Sequence, residues 1–470
     1  MTLEKKKAKF TQGKLFPKIL LFVLPIVATN LLQTLYNAAD MMVVSLSSEV
    51  NAVGAVGTTG SFVSLIVNIF IGFSIGANVV VARHIGAENP ARARKASHTA
   101  LLVGLFFGVL GGGIGAAVSR AVLTMMGNTG NLLDLAVKYT YFYFAGVPFL
   151  ALTNYLIAIF RAKGDSKTPL VVLSLAGVLN VALNLFFVLA LDLSVEGVAL
   201  ATSLSNVASF IALLWKLSKD KDGLAFSFKL LKLDKKELKD IVCIGFPSAI
   251  QSALFCVSNM LIQSSIVRVN NSVCSPDSKY QPVVNGCAAG SNVSNFVYTA
   301  QNAVSQGALT FTSQNIGANK PKRVYPIMGS CCAIVALIGV PFALLIFLLK
   351  NPLLALYGVV DGAKGSLEAI AMDAATTQLI YVNLPYCLCG FMDIGAYTLR
   401  GLGKSVLSMF ISLVGSCLLR VVWLLTVFPV YPTLEIVYIC YPITWALTAI
   451  AQFGCAFLVL KKMIKFGGNY

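Results

Sequence analysis

The stretch SIGANVVVARHIGAENPARARK (Ser74–Lys95) occurs a second time, in altered form, as SQGALTFTSQNIGANKPKRVYP (Ser305–Pro326). Three residues of the two copies align at a constant offset of 231: Gly76 with Gly307, Gly86 with Gly317, and Pro90 with Pro321. Upstream of each copy, two more residues align at an offset of 222: Pro25 with Pro247, and Asn37 with Asn259. A long internal repeat of this kind indicates that one structural unit occurs twice along the chain.

Apolar runs dominate the composition around this repeat. Of the 470 residues, 57% are hydrophobic and only 12% are charged, which is about half the charged fraction of an ordinary soluble domain. Runs of about 20 apolar residues, the length that spans the hydrocarbon of a bilayer, recur along the whole chain. The sequence therefore predicts an all-α integral membrane protein with twelve transmembrane helices, over residues 16–47, 57–82, 99–125, 136–160, 169–192, 196–215, 241–266, 293–314, 326–349, 376–399, 405–428 and 436–460.

The repeat divides these helices into two homologous sets. We predict a six-helix N-terminal lobe over residues 16–215 and a six-helix C-terminal lobe over residues 241–460. The basic segment 216–240 links them, and the two tails cover 1–15 and 461–470. Both lobes start on the same side of the membrane, because each has an even number of spans. Such repeats are common in secondary transporters, which bind substrate between them and alternate access by rocking.

Positive charge is concentrated in alternate connections between the predicted helices. These connections and the two tails hold 29 of the 36 lysines and arginines. Cytoplasmic segments carry such an excess, so we expect both termini in the cytoplasm and the chain in the plasma membrane. The net charge of +17 then reflects topology and contact with anionic lipid at the cytoplasmic face. We expect no nucleic-acid partner.

Cysteines and histidines give little sign of catalytic or metal chemistry. All 11 cysteines follow residue 240, and most lie in apolar spans as small core residues. Cys274 and Cys287 lie in a polar connection expected outside, where a disulfide can form, but their spacing alone does not establish one. With two histidines and no HExxH, CxxC or GxSxG pattern, we expect no enzyme activity, no metal site and no cofactor.

A carboxylate interrupts the first predicted span. In QTLYNAADMMVVS (Gln33–Ser45), Asp40 follows Tyr36 and Asn37 by one helical turn. Asp40 lies about 33 Å beyond Lys18, in the outer half of the span. A charged Asp at the centre of a membrane helix costs about 2.5–3.5 kcal/mol on insertion scales, so Asp40 must be neutral, paired or hydrated. We expect it to take up and release a proton; the alternative is an Asp that caps the outer end of the helix near water.

Four motifs, taken together, resemble the multidrug and toxic compound extrusion (MATE) family. They are LYNAADMMVVS in the first span, GANVVVARHIGAENPARARKA after the second, FRAKGDSKTP after the fourth and LRGLGKS after the tenth. The resemblance covers essentially the whole chain. It implies twelve helices in a V-shaped pair of lobes around a central cavity. It also implies export of organic, often cationic compounds, driven by inward flow of H⁺ or Na⁺.

The resemblance gives Asp40 the role of a coupling carboxylate in the N-terminal lobe. In DinF-like members, polar residues of the fourth, fifth and sixth spans surround this carboxylate. The matching positions here are Tyr139, Asn180, Asn184 and Thr202. Some members carry a second Asp where this chain has Asn184. NorM-like members have a cation site with Glu and Asp in the C-terminal lobe, where this chain has Phe255 and Cys389. The resemblance therefore favours the DinF-like branch and H⁺ over Na⁺.

Other polar residues in the spans are candidates with less defined roles. Pro25 predicts a kink in the first span, which either bends with the protonation of Asp40 or is static. We assign Tyr36 and Asn37 to the polar site around Asp40. Three further residues are candidates for lining the central cavity: Gln33, Asp393 and Arg420. The last two differ in predicted depth by more than an arginine side chain reaches, so we expect no ion pair between them.

The leading hypothesis is a secondary-active efflux transporter that exchanges organic, cationic or amphiphilic compounds for H⁺ and acts as a monomer. A flippase for lipid-linked oligosaccharide is an alternative from the same superfamily, since Arg420 could bind a pyrophosphate. A non-transporting membrane scaffold or sensor is an alternative of another class, and it predicts that Asp40→Asn is harmless. The proton site belongs to one lobe only, because the position equivalent to Asp40 in the other lobe is Ile262.

Overall fold

The computed structural model describes residues 10–47, 49, 51–274, 280–363 and 365–465, and these residues form helices and connections without a strand. The first half of the chain contains α1 Leu15–Val44, α2 Ala52–Gly86, α3 Pro90–Met125, α4 Gly130–Lys163, α5 Lys167–Leu185 with a π-helical turn Phe186–Ala190, and α6 Val195–Ser218. A 3₁₀ turn, Phe228–Leu230, lies in the linker. The second half contains α7 Lys235–Val273, α8 Pro282–Gly317, a 3₁₀ turn Pro321–Arg323, α9 Val324–Leu348, α10 Lys350–Ala355, α11 Leu367–Gln378 with a π turn Leu379–Asn383, α12 Tyr386–Gly401, α13 Ser405–Ser412, a π turn Leu413–Leu418, α14 Leu419–Thr426 and α15 Leu434–Lys465.

The order of these helices follows the twelve predicted spans, and the all-α membrane fold is confirmed. Among the described residues, ten helices are long and apolar enough to cross a membrane, and the bent pair Leu367–Asn383 and Tyr386–Gly401 gives an eleventh. The predicted span 293–314 lies within α8, which is 36 residues long but rich in Ser, Asn and Gln. These polar residues lower its hydropathy, so hydropathy alone does not mark it as a span. Many of their side chains, such as those of Gln301 and Ser305, are buried in the protein.

Several helices extend beyond the predicted spans because local capping signals lengthen them. α3 begins at Pro90, where the fixed φ of proline suits a first helical position. The side chain of Asn89 caps this helix by accepting a hydrogen bond from the Arg92 amide at 3.0 Å. α8 similarly begins at Pro282, within the connection that was predicted to be an outer polar loop.

The chain forms two compact units. The first contains Met1–Gly13, Leu24–Ser252 and Ser313–Lys320, and the second contains Lys14–Val23, Ala253–Thr312 and Pro321–Tyr470. Three helices, α1, α7 and α8, contribute to both units. The units therefore do not coincide with the sequence repeats, and the lobes 16–215 and 241–460 stay a prediction about the homologous halves.

Each unit has its own apolar core. In the first unit, α4 packs against α2, α3 and α6, and its Phe144 meets Phe62 of α2 edge to face with ring centroids 5.2 Å apart. In the second unit, α12 packs against α9 and α15. There Trp445 of α15 is buried and stacks on Tyr386 at 5.1 Å.

The ends of α2 and α8 meet backbone to backbone inside the first unit. A Cβ atom on Gly86 would lie 1.9 Å from the carbonyl oxygen of Gln314, and one on Gly317 would lie 2.0 Å from the carbonyl oxygen of Arg83. Real Cβ atoms essentially never approach another atom within 3.0 Å, and main-chain atoms cannot rotate aside. The two glycines are equivalent in the repeat, and Arg83 and Gln314 are also 231 residues apart. The contact is therefore reciprocal, and it requires glycine on both sides.

Hydrogen bonds fasten the end of α8 around this contact. Gln314 Nε2 donates to the carbonyl oxygen of Ala162 at the end of α4, at 2.7 Å. Asn315 Nδ2 donates to the carbonyl oxygen of Phe10 at 3.2 Å, and both Phe10 and Thr11 are buried. The N-terminal segment and the ends of α2, α4 and α8 therefore form one packed cluster in the first unit.

Replacing either glycine with leucine should destabilise this cluster. Gly86→Leu and Gly317→Leu each force two backbones apart, and overpacking of this kind costs about 1–3 kcal/mol. We expect each variant to melt several degrees below the wild type in detergent, as followed by tryptophan fluorescence. Gly329→Leu is the matched control, because a Cβ at this α9 position meets nothing within 4 Å. If all three variants had the same melting temperature, the backbone contact at Gly86 and Gly317 would be contradicted.

Candidate proton-coupling site

Asp40 lies in the last part of α1 and is held by an amide from α5. Asn184 Nδ2 donates to Asp40 Oδ1 at 2.5 Å. The Asn184 side chain is fully buried, whereas Asp40 is only partly exposed. Hydrogen bonds to a charged group are about twice as strong as neutral ones, so this contact fixes the carboxylate against α5.

A chain of polar side chains continues from this contact to α6. Asn184 Nδ2 also lies 3.3 Å from Asn180 Oδ1, one helical turn earlier on the same face of α5. Asn180 Nδ2 donates to Thr202 Oγ1 at 3.3 Å, and the Thr202 hydroxyl donates to the Val198 carbonyl at 3.0 Å. The structure thus brings together four residues that the sequence assigned to one site: Asp40, Asn180, Asn184 and Thr202.

No cation neutralises Asp40 within the described part of the chain. The nearest candidate from the sequence, Lys138, instead pairs with Glu196 at 2.5 Å. Asn184 Oδ1 is also buried, and it has no hydrogen-bond partner among the described residues. An amide has both a donor and an acceptor, so Asn184 can donate to a carboxylate or accept from a carboxylic acid. Its side chain therefore suits either protonation state of Asp40.

Two tyrosines of α4 form the wall beside the carboxylate. Tyr139 is buried and stacks on Tyr143, with ring centroids 6.0 Å apart. Tyr139 lies in, and Tyr143 packs against, an apolar cluster that contains Val43 and Val44 of α1, one turn after Asp40. The sequence predicted Tyr139 but missed Tyr143, although a tyrosine four residues later on one helix face was a usable signal.

The remaining polar residues of α1 point elsewhere. Tyr36 donates from its hydroxyl to the Ser174 carbonyl at 3.1 Å, and its ring fills the space beside Gly177 of α5. Asn37 and Gln33 are exposed. Tyr36 therefore joins α1 to α5, and the structure does not bring Asn37 or Gln33 into contact with Asp40.

α1 runs through Pro25 as one continuous helix. The Thr29 hydroxyl donates to the Pro25 carbonyl at 2.7 Å, four residues back. The boundary between the two compact units falls between Val23 and Leu24, directly before this proline. The predicted bending at Pro25 with protonation stays a prediction.

Asp393 lies in a polar cluster of the second unit. Asp393 lies on α12. On α8, Asn302 Nδ2 donates to the Tyr298 hydroxyl at 3.5 Å, and the Tyr298 ring lies 6.0 Å from the ring of Tyr386 at the start of α12. Gln306 Nε2 donates to Asn302 Oδ1 at 2.8 Å. Arg400 stacks on the Tyr397 ring, with its Cζ 4.7 Å from the ring centroid. The cluster therefore joins α8 to α12.

Arg420 is enclosed within the second unit, with a side chain only 2% exposed. Its Nε donates to Thr444 Oγ1 at 3.2 Å, and its Cζ lies 4.2 Å from the Tyr441 ring centroid. Among the described residues it forms no ion pair with Asp393, as expected. Aromatic faces and a hydroxyl already surround the guanidinium. The cavity-lining role of Arg420 stays a prediction.

The candidate disulfide between Cys274 and Cys287 is not formed, and both are free thiols. Cys287 belongs to α8, where it is buried. Cys274 follows the end of α7, and its sulfur lies 3.8 Å from the Tyr280 carbonyl. The prediction placed both cysteines in one loop, but α8 begins before Cys287. Among the described residues, no group of three or more His, Cys, Asp or Glu could hold a metal ion.

The duplicated fold and the acid in α1 identify a class of membrane transporter. The chain belongs to the MatE family, whose family model matches it twice, over residues 25–186 and 247–425. The two matches begin at the repeat-equivalent prolines, Pro25 and Pro247. Membership of the MATE family is therefore confirmed, the protein is a multi-pass membrane protein, and the DinF-like branch stays a prediction.

Individual relatives agree with this assignment over most of the chain. The chain is 28% identical over 459 residues to the probable multidrug resistance protein YoeA of Bacillus subtilis, covering 94% of this chain and 93% of the relative. It is 23% identical over 262 residues to the multidrug export protein MepA of Staphylococcus aureus, covering 56% of this chain and 58% of the relative. A crystal structure of a MATE protein in complex with MaL6 matches with a TM-score of 0.87 and 20% identity, covering 97% of this chain and 99% of that one.

Asp40 and Asn184 should be energetically coupled. A hydrogen bond to a charged group contributes about 1.5–3 kcal/mol, so Asp40→Ala and Asn184→Ala should be non-additive by roughly that amount in a double-mutant cycle on thermal unfolding. The pair Asn37→Ala and Asn184→Ala is the control, because Asn37 is exposed on the same helix. Its two effects should add to within about 0.5 kcal/mol. Additivity in both cycles would contradict the contact.

Proposed function

We propose that the protein is a secondary-active efflux transporter that exports organic compounds in exchange for H⁺. The observation that carries this proposal is the acid at the end of α1. Asp40 has a buried amide as its partner and no cation among the described residues. A carboxylate without a counter-ion in a transmembrane helix is costly, and binding one proton removes that cost.

The transported proton would bind to the carboxylate of Asp40. In the charged state, Asp40 accepts a hydrogen bond from Asn184 Nδ2. In the neutral state, the new O–H of Asp40 can donate to Asn184 Oδ1, which has no partner among the described residues. The Asn184 amide would turn over between the two states, and in the neutral state it would give up its contact with Asn180 Oδ1. A second carboxylate at position 184 would add a second titrating group, and this chain avoids that.

Coupling to H⁺ is favoured over coupling to Na⁺ by the direction of the hydrogen bonds. A hard metal cation needs several oxygen atoms that converge on one point. Here the oxygens of Asp40, Asn180 and Thr202 each face a hydrogen-bond donor from a neighbouring side chain. A Na⁺ ion would have to displace all of these donors, whereas a proton requires only the Asn184 amide to turn over.

The family and the relatives support a proposed substrate class. YoeA and MepA carry the descriptions probable multidrug resistance protein and multidrug export protein. We propose organic cations or amphiphiles as substrates, transport by a monomer across the plasma membrane with both termini in the cytoplasm, and no catalytic activity or cofactor. The excess of lysine and arginine in alternate connections supports this orientation.

Alternating access requires one side of the transporter to close while the other opens. The reciprocal contacts at Gly86 and Gly317 join repeat-equivalent segments through their backbones, and hydrogen bonds from Gln314 and Asn315 hold the end of α8 beside them. Opening would break these few contacts. We propose that it seals the cytoplasmic side in one state and opens in the other.

A lipid-linked oligosaccharide flippase is less favoured by the position of Arg420. A pyrophosphate would need this cation to be reachable, but its side chain is 2% exposed and already contacts Thr444 and Tyr441. A scaffold or sensor has no need for an acid that can be protonated in the membrane. Both alternatives are outcomes of the following experiment.

Transport should depend on a pH gradient and on Asp40. The purified protein in proteoliposomes should move a fluorescent organic cation under an imposed H⁺ gradient, and Asp40→Asn should reduce that rate by at least about tenfold, because the amide cannot carry a proton. Asp134→Asn is the matched control, since Asp134 is an exposed carboxylate of the same unit, paired with Arg120.

Four outcomes would contradict the proposal. A transport rate that responds only to a Na⁺ gradient would show that Na⁺, and not H⁺, is the coupling ion. Full transport activity of Asp40→Asn would show that Asp40 does not carry the coupled proton. Movement of a fluorescent lipid-linked saccharide in place of the cations would favour the flippase, and no movement of any probe by a stable protein would favour the scaffold.

A further inference from the structure

The linker between the predicted lobes is anchored to α3 at two points, and the first anchor is at Phe226 and Ser227. The Phe226 amide donates to the Leu217 carbonyl of α6 at 3.3 Å, and the Ser227 amide donates to His98 Nε2 at 3.1 Å. The His98 ring also stacks on Phe226, with centroids 5.3 Å apart. His98 Nδ1 donates to the Arg94 carbonyl at 2.8 Å, which leaves Nε2 as the acceptor.

A second anchor holds the linker at its other end, directly before α7. The Asp234 amide donates to Thr99 Oγ1 of α3 at 3.1 Å. The Asp234 carboxylate accepts from the Glu237 amide at 3.3 Å, which keeps the pKa of Asp234 below its ordinary value. It also lies 3.9 Å from Lys95 Nζ. Asp234 thus acts as the N-cap of α7 and ties this helix to α3.

We call the residues between these anchors the linker arch, Phe226–Asp234. The arch presents three large apolar side chains outward: Phe228 is 77% exposed, Leu230 47% and Leu233 50%. These residues lie outside the helices that are apolar enough to span a membrane. Exposed apolar surface of this size is unfavourable in water. The two anchors hold the backbone of the arch in place, so these side chains cannot turn into the protein.

Lysines surround these apolar side chains. Five exposed lysines lie in or just after the arch: Lys229, Lys232, Lys235, Lys236 and Lys239. Of the nearby acids, Asp234 caps α7 and Glu237 lies 2.8 Å from His84, while Asp240 is exposed on α7. Among the described residues, no ion pair joins these five lysines to a carboxylate. The arch therefore combines exposed apolar groups with unneutralised positive charge.

The arch also lies beside a residue that marks the membrane interface. Trp215, in the last turn of α6, is 52% exposed, and the ammonium groups of Lys216 and Lys219 lie 5.4 and 4.0 Å from its ring centroid. Tryptophan with flanking lysine is typical of the headgroup layer. The hydrogen bond from Phe226 to Leu217 places the start of the arch within one turn of this tryptophan.

We propose that the linker arch binds the headgroup layer of the bilayer, with Phe228, Leu230 and Leu233 inserted among the lipids and the surrounding lysines bound to anionic lipid phosphates. The occupant is the membrane that already surrounds α6, and the complementary charge selects anionic lipid. Because the arch is tied to His98 and Thr99 of α3 and leads directly into α7, lipid binding would hold the start of α7. This inference is independent of the coupling ion and of Asp40.

Hydrogen–deuterium exchange on the full-length protein in nanodiscs tests this binding. We expect backbone amides of residues 228–233 to exchange at least about fivefold more slowly in phosphatidylglycerol than in phosphatidylcholine, the effect of roughly one lysine–lipid contact. The difference should shrink at high salt, because screening weakens contacts with exposed charges. Lys229→Gln with Lys232→Gln should remove most of it, and Phe228→Ser with Leu230→Ser should reduce protection in both lipids.

Lys404→Gln with Lys461→Gln is the matched control, because both lysines are exposed outside the arch. This pair should leave the difference unchanged. The amides of Ser227 and Asp234, which bond to α3, report whether a variant has released the arch and should stay protected throughout. Equal exchange of the wild type in the two lipids would overturn the proposal, as would equal protection by inorganic phosphate added to phosphatidylcholine discs. Unchanged protection in the Phe228→Ser, Leu230→Ser variant would overturn insertion.

Discussion

The position of α2 against α8 depends on contact between main-chain atoms, at Gly86 and at Gly317. A contact of this kind has no side-chain rotamers to adjust, so it fixes the separation of the two helix ends closely. α3 starts at Pro90, only four residues after Gly86, and therefore takes its position from the same point. Since α3 holds the linker through His98 and Thr99, the glycine contact also influences where α7 begins.

The acid in α1 illustrates how a membrane protein can keep a titratable group without a counter-ion. A buried ion pair would favour the charged state strongly and would hinder protonation. An apolar surrounding would favour the neutral state in the same one-sided way. An amide avoids both extremes, since Asn184 can offer an N–H or a carbonyl to Asp40. The site is thus suited to a group that has to change charge repeatedly.

The sequence predicted those features that depend on periodicity and composition. The spans and the repeat follow from composition and helical spacing, whereas the grouping of Asn180, Asn184 and Thr202 with Asp40 came from the resemblance to the MATE family. Features that depend on tertiary contact were missed or wrong. Tyr143 enters the site only because α4 packs beside α1, and the cysteine pair fails because α8 starts before Cys287. The docking of the linker on His98 has no signal in a one-dimensional pattern.

The two halves share their backbone contacts but not their chemistry. Ile262, which is equivalent to Asp40, is buried in an apolar cluster of the second unit, whereas Asp393, an acid of that unit, lies on α12. Gly86 and Gly317 differ from these residues, because each glycine contacts the backbone of the other copy. A substitution of either glycine therefore disrupts a contact that both copies form. A side-chain site has no such reciprocal constraint. Duplication therefore preserves the backbone contact that both copies form and leaves one half free to carry an acid in α1, Asp40, that the other half lacks.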